Sequence, residues 1–411
     1  MTLSQAPGPL GRRISQAVLS QVAFALSNAL VTLVAAWQLE PAEFGSVSIA
    51  LLIFLLLRGP LVGSIGHASI VTHAAESPDH VAKLMLAAMT RAASLGLVPA
   101  LAGVLYALAG YGPQWLVPLA LLFPALISYE VVRIMALGLD RQQLAAKADL
   151  VWLALQAAGT AAALLIWPGQ QLAVVLPWAF GGVFAAAMTR SVLRSQAGSC
   201  ADIDLEIESG LATTFFIDDV LANGIQRSTL AASAIVVSTL AVAQVRLALV
   251  LFNAVLVVGA AMQPLILRRF RQEYLDLGAP SWRTWRLYTA TIGALTAATL
   301  VCLVTVSHLV GQSLGPNFAA AGSFFGWIAL LRASDAAAVA ASSMIKSDKG
   351  ARRSDLLAPR AFQGITTAAL VLALGFTYEA SGLAAGLALG TTAGAIGWLK
   401  RARDLLRNSD S

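Results

Sequence analysis

The chain has 411 residues, of which 58% are hydrophobic and only 12% charged, with a mean hydropathy of +0.76 and a formal net charge of +6. Soluble domains carry about 25% charged residues, so this composition excludes an ordinary soluble protein; apolar runs of about 20 residues recur along the chain and indicate a polytopic membrane protein. The positive balance does not point to nucleic acid, because the basic residues lie in short loops between the apolar runs.

In chain order, Arg12 and Arg13 precede the first apolar run, 14–37. It is longer than the roughly 7–15 residues of a signal-peptide core, so it reads as an uncleaved first transmembrane helix, carrying Gln21 and Asn28. The second span, 46–67, holds Arg58 in a stretch, SVSIALLIFLLLRGPLVGSIG (46–66), with no other charge. A charge at bilayer depth costs roughly 2.5–3.5 kcal/mol on insertion scales, so such residues face a bundle interior or a wet cavity. Spans at 84–108 and 116–138 follow; the latter carries Glu130 and Arg133, one turn apart and spaced to pair on one face. Mutual neutralisation and a functional role both fit that spacing. Spans 147–167 and 172–193 complete a first half.

The segment SQAGSCADIDLEIESG (195–210) is the longest inner connection and divides the chain. The seventh span, 211–235, is the richest in polar groups. Asp219, Asn223, Gln226 and Arg227 fall at i, i+4, i+7 and i+8, one face of an α-helix, with Asp218 about 100° round from Asp219. A cavity-lining stripe is one reading; an amphipathic surface helix, or an outer-loop position for Arg227, is the other. Spans eight (241–265), nine (287–309), ten (319–343), eleven (360–378) and twelve (381–399) follow. Arg246 and Arg332 are embedded in spans eight and ten. Arg246, near an outer end, has the option of snorkelling to water, as Arg91 and Arg360 near inner ends are expected to do. Gly382, Gly386, Gly390 and Gly394 form a small-residue ridge that suits close helix packing, within the chain or in a dimer.

Lys and Arg are absent from the loops at 39–45, 110–115, 168–171, 239–243, 311–317 and 378–381, and populate the others, including KSDKGARR (346–353). The positive-inside rule then places both termini in the cytoplasm, which requires an even number of spans. Twelve spans satisfy it. The halves are similar: at an offset of 198, Val47, Ala50, Leu51 and Phe54 match Val245, Ala248, Leu249 and Phe252, while Gln21 and Asn28 fall opposite Asp219 and Gln226. The inner loops DRQQLAAKADL (140–150) and DKGARRSDL (348–356) echo each other. The expected fold is therefore all-α and membrane-integral: two pseudo-symmetric six-helix bundles, 1–198 and 211–411, joined by a cytoplasmic linker at 199–210 and set around a central cavity. Six spans per half make the repeat parallel, as in many alternating-access transporters.

A cavity containing Arg58, Arg227, Arg246 and Arg332 would take an anion, most readily a phosphate, because guanidinium stays charged and binds oxyanions in a fork. Asp218, Asp219 and Glu130 would release that anion or bind a coupling proton or cation. No P-loop, HExxH, GxSxG or dinucleotide fingerprint occurs, so no catalytic constellation and no cofactor are expected. With two cysteines and four histidines in no metal-ligand spacing, neither a disulfide framework nor a metal site is expected.

Residues 21–59 (QVAFALSNALVTLVAAWQLEPAEFGSVSIALLIFLLLRG), above all the turn Leu39–Gly45, resemble the first two helices of bacterial polysaccharide transporters of the O-antigen flippase-like family. The inner loops 140–150 and 348–356 and the outer Leu314–Phe318 are similar to that family as well. The resemblance implies membership of the superfamily of multidrug, oligosaccharidyl-lipid and polysaccharide exporters. It also implies flipping of an undecaprenyl-diphosphate-linked oligosaccharide across the inner membrane, with membrane lipids and polysaccharide polymerase or export proteins as partners. The alternatives are a cation-coupled small-molecule exporter of the MATE type, and a membrane enzyme or non-transporting scaffold of envelope assembly.

Overall fold

Hydrocarbon offers no partner to backbone N–H and C=O groups, so apolar runs of this length must close their hydrogen bonds internally as helices. The computed structural model describes residues 10–197, 205–207, 209–237, 252–310, 322–348 and 353–409, with a few positions between 241 and 249; no strand occurs among them. The chain forms two compact units, Met1–Ala212 and Thr213–Ser411.

The first unit contains α1 (Leu10–Gln38), α2 (Pro41–Leu61), α3 (Ala68–Thr72), α4 (Pro78–Leu108), α5 (Leu116–Gly138), α6 (Gln142–Ile166) and α7 (Gln171–Ala197). Proline opens α2 and α4, where its missing N–H costs nothing. α2 runs into α3 through a π-helical turn, Val62–His67, so the second span extends beyond both ends of 46–67. α6 begins at Gln142, which corrects the reading of 140–150 as an inner loop. The linker docks on this unit: the Leu205 carbonyl accepts from Arg91 (3.4 Å), and the Glu206 carbonyl lies 3.1 Å from His73 Nε2.

The second unit contains α8 (Ser209–Asp219), a π-helical turn (Val220–Gly224), α9 (Ile225–Val236), α10 (Asn253–Leu277), α11 (Trp282–Val310), α12 (Phe325–Ser347) and α13 (Arg353–Ser409). Among the described residues nine helices are long and apolar enough to cross a membrane. The last of these divides at Tyr378 and Glu379, whose φ of 48° breaks the helix, into two antiparallel arms. The seventh span is split by its π turn, and the eighth lies partly outside the described residues. The architecture is all-α with twelve spans in two six-helix bundles.

Large apolar side chains stand on the outside as well as in the core, as a lipid surround requires. Leu165 and Phe376 are 87% and 74% exposed. In the first unit Trp152 of α6 is fully buried and donates Nε1–H to the Trp178 carbonyl of α7 at 2.7 Å. Gly181 and Gly182 are what let α7 approach that indole, since a Cβ at Gly181 would lie 2.6 Å from its Cδ1. The second unit packs Phe252, Ile328, Leu331, Val371, Leu383 and Leu387 together. Repeat-related Phe54 and Phe252, like Val47 and Val245, are buried in their own units.

The glycine ridge is used inside the chain. A Cβ at Gly386 would stand 2.6 Å from the N and Cα of Val371, and one at Gly394 would stand 2.5 Å from Gln363 Cβ, both on the preceding arm of α13. Backbone cannot yield as a side-chain tip can, so Gly386→Val is expected to destabilise by about 3 kcal/mol, the upper end of the overpacking range. Gly293→Val, where a Cβ meets open space, should leave the thermal midpoint of the purified protein near the parent's. Equal midpoints for both variants would contradict this packing.

Candidate functional site

Each unit buries an ionic cluster. In the first, α5 supplies Tyr129, Glu130 and Arg133 to its inward face. Glu130, fully buried, accepts a hydrogen bond from Arg133 Nε at 3.5 Å on Oε2, and the same oxygen forms an ion pair with Arg58 of α2, whose Nε lies 3.1 Å away. Arg133 Nη1 continues to Asp149 Oδ2 of α6 at 3.6 Å. Asp149 also accepts the Tyr129 hydroxyl at 2.6 Å and a short hydrogen bond from Ser20 Oγ of α1. Phe24 of α1 underlies both guanidiniums, 3.9 Å from Arg133 and 5.2 Å from Arg58. One turn further along, Ser27 of α1 and Gln156 of α6 bond to each other through Oγ, Oε1, Nε2 and the Ser27 carbonyl. Two cations and two carboxylates thus tie four helices together. Such a set is stable only when complete, because loss of one partner leaves a buried charge uncompensated.

In the second unit, fully buried Asp218 at the end of α8 is held by Lys346 Nζ of α12 at 2.5 Å and by Arg360 Nε of α13 at 3.1 Å. Lys346 lies 5.6 Å from the Phe215 ring centroid, and Arg360 lies 5.2 Å from that of Trp398 and donates to Gln363 Oε1 at 2.8 Å. Earlier on α12, Arg332 pairs with Asp335 at 3.3 Å and donates from Nη2 to Asn253 Oδ1 at 2.8 Å and to the Leu249 carbonyl at 3.4 Å.

The two clusters occupy related positions. At the offset of 198, Ser20 corresponds to Asp218 and Ser27 to Ile225; at 208, the offset between Asp140 and Asp348, Trp152 corresponds to Arg360 and Gln156 to Gly364. In both units the first helix therefore meets the fifth through the same two levels. One level is polar in both; the other is the Ser27–Gln156 pair in the first unit and the Ile225–Gly364 contact in the second.

Glu130 and Arg133 pair as their spacing indicates, and Arg58 joins them. Gln21 is buried on α1, and Asn28 bonds back to the Phe24 carbonyl at 2.9 Å. The seventh span departs from the sequence reading. An α-helical face over 219–227 assumes constant register, whereas the π turn at Val220–Gly224 adds a residue to one turn and rotates the helix beyond it. Its buried carboxylate is Asp218, with Asp219 half-buried beside it. The side chains of Asn223, Gln226 and Arg227 lie outside the described ones, as do Arg246, Cys200 and Leu314–Phe318. Two basic residues are corrected. Arg360 does not snorkel; its side chain is 18% exposed and turned onto Asp218. Lys346 is not a loop residue, because α12 continues through Ser347 and buries it.

Sequence reasoning missed Ser20, Tyr129, Asp149, Asp335 and Lys346. Asp149 carried one signal, the repeated basic-x-Asp-Leu ending of the two inner segments. Among the described residues no group of His, Cys, Asp and Glu is placed to hold a metal ion.

No family model and no curated protein matches this sequence. Solved structures do. A Pyrococcus furiosus MOP superfamily transporter, described as having a binding pocket of reverse polarity, matches with TM-score 0.71 at 12% identity over 98% of this chain and 96% of its own. The eukaryotic MATE transporter AtDTX14 matches with TM-score 0.70 at 13% identity over 97% and 98%. A point mutant of the Vibrio cholerae MATE transporter VcmN matches with TM-score 0.68 at 10% identity over 97% and 96%. The chain shares the fold of these proteins over its whole length.

Proposed function

We propose that this protein is a multi-pass transporter of the superfamily of multidrug, oligosaccharidyl-lipid and polysaccharide exporters, lying in the cytoplasmic membrane with both termini inside, and that it exports a small molecule in exchange for a coupling cation. The carrying observation is that the embedded arginines Arg58, Arg133 and Arg332 are each held by a carboxylate of their own unit. Cations so engaged are poor anchors for an anionic head group. Glu130 and Asp149, held out of water among them, are groups to which an exchanging cation or proton would bind. The whole-length likeness to MATE transporter structures supports the same reading.

The lipid-linked oligosaccharide reading keeps one observation in its favour: two cations, Lys346 and Arg360, converge on the single carboxylate Asp218. The two separate experimentally. Proteoliposomes loaded with a fluorescent cationic drug should release it when a proton or sodium gradient is imposed, and not after an ionophore. If no drug moves, and deletion instead removes surface polysaccharide, the flippase reading replaces this one.

A further inference from the structure

We propose that the second unit binds a single halide ion, chloride in the cell, in a small cavity between the seventh span and the two arms of α13. The cavity measures about 20 Å³ and is bordered by Leu221 and Ile225 on one side and by Arg360, Gln363, Thr367 and Thr391 on the other. A water-sized particle needs about 10–15 Å³, so there is room for one monatomic ion.

The polar groups facing it are donors. Arg360 commits Nε to Asp218 and Nη1 to Gln363 Oε1. Because Gln363 accepts through its carbonyl oxygen, its amide NH2 is left to donate. Thr367 and Thr391 are each 4% exposed, and neither hydroxyl makes a hydrogen bond to a described residue. Among the described residues no carboxylate lines the cavity.

Charge points the same way. Lys346 and Arg360 share one carboxylate, Asp218. Asp335, which also acts on Arg360, is engaged by Arg332 at 3.3 Å, and Asp219 sits half-buried about 100° round the helix. The Arg360 guanidinium at the cavity wall therefore shares its carboxylate with a second cation, and a buried charge of this kind favours an anion beside it. A water molecule would satisfy the two hydroxyls; a halide would accept from them and also face the Arg360 guanidinium.

The test is thermal unfolding of the purified full-length protein in sodium chloride against sodium gluconate at equal ionic strength, repeated with bromide. Chloride and bromide should raise the midpoint saturably, by about 2 °C or more. The double variant Thr367→Val/Thr391→Val, which removes two donors to an anion, should need at least about tenfold more halide for half the effect. Superimposable chloride and gluconate curves, or an unchanged halide response in the variant, would overturn the site. Should the variant not fold, bromide-soaked crystals of the parent decide: an anomalous peak among the four donors supports the proposal, and density for water alone refutes it. Neither readout involves transport, so failure here is separate from failure of the exporter reading.

Discussion

Asp218→Ala is expected to be among the most destabilising single substitutions in the chain, costing about 3–5 kcal/mol. It strands Lys346, which is buried, and leaves the partly exposed Arg360 beside it without its carboxylate. The measurement is thermal or denaturant unfolding of the purified protein, run as a cycle with Lys346→Met. If the carboxylate and the ammonium act as a pair, Asp218→Ala/Lys346→Met should lose less stability than the two single changes added together. Losses that simply add, or an Asp218→Ala variant within about 0.5 kcal/mol of the parent, as is usual for surface sites, would show that the cluster is not coupled.

The second large effect is at Glu130. One oxygen of this buried carboxylate receives both Arg58 and Arg133. Glu130→Gln retains the shape and one acceptor but removes the charge, leaving Arg58 with no carboxylate contact among the described residues and Arg133 with Asp149 alone. A loss of about 3 kcal/mol is expected. Arg58→Gln/Glu130→Gln should recover much of it, because it removes the stranded cation as well. Transport supplies a second, independent reading. If Glu130 and Asp149 form the coupling group, both Glu130→Gln forms should lose gradient-driven flux by at least about tenfold, even where the double variant regains stability. Full flux in the double variant would make the cluster purely structural.

Contacts between near neighbours in sequence were legible. Glu130 and Arg133 are one helical turn apart, so their pairing follows from the repeat of the α-helix alone. The i+4 glycine ridge likewise announced a close helix approach, though not which helix it would meet; Val371 and Gln363 on the preceding arm are the answer. Arg58 stood out because an isolated charge in an apolar run is costly. Its partner did not, because nothing local links residue 58 to residue 130.

The residues that were misread share one cause. Lys346 and Arg360 entered the positive-inside pattern as inner-side charges, and that pattern records which end of a span a cation is near, not whether it turns toward water or toward the bundle. Both turn inward because Asp218 is there to receive them. Asp149 was counted as the last acid of a loop, whereas α6 starts at Gln142 and carries it two turns into the bundle against Ser20 and Tyr129. The π turn at Val220–Gly224 is invisible to a periodicity argument that takes α-helical register as given.

By itself, then, the sequence determined what depends on counting and on local spacing: an all-helical membrane chain, twelve spans, two related halves, and which residues are too costly to bury alone. The tertiary structure decided which of those costly residues compensate one another. That outcome depends on helices brought together across more than a hundred positions, as Asp218 and Arg360 are. A buried charge is stable only beside a partner, and the identity of that partner is a property of packing, on which residue type and spacing are silent.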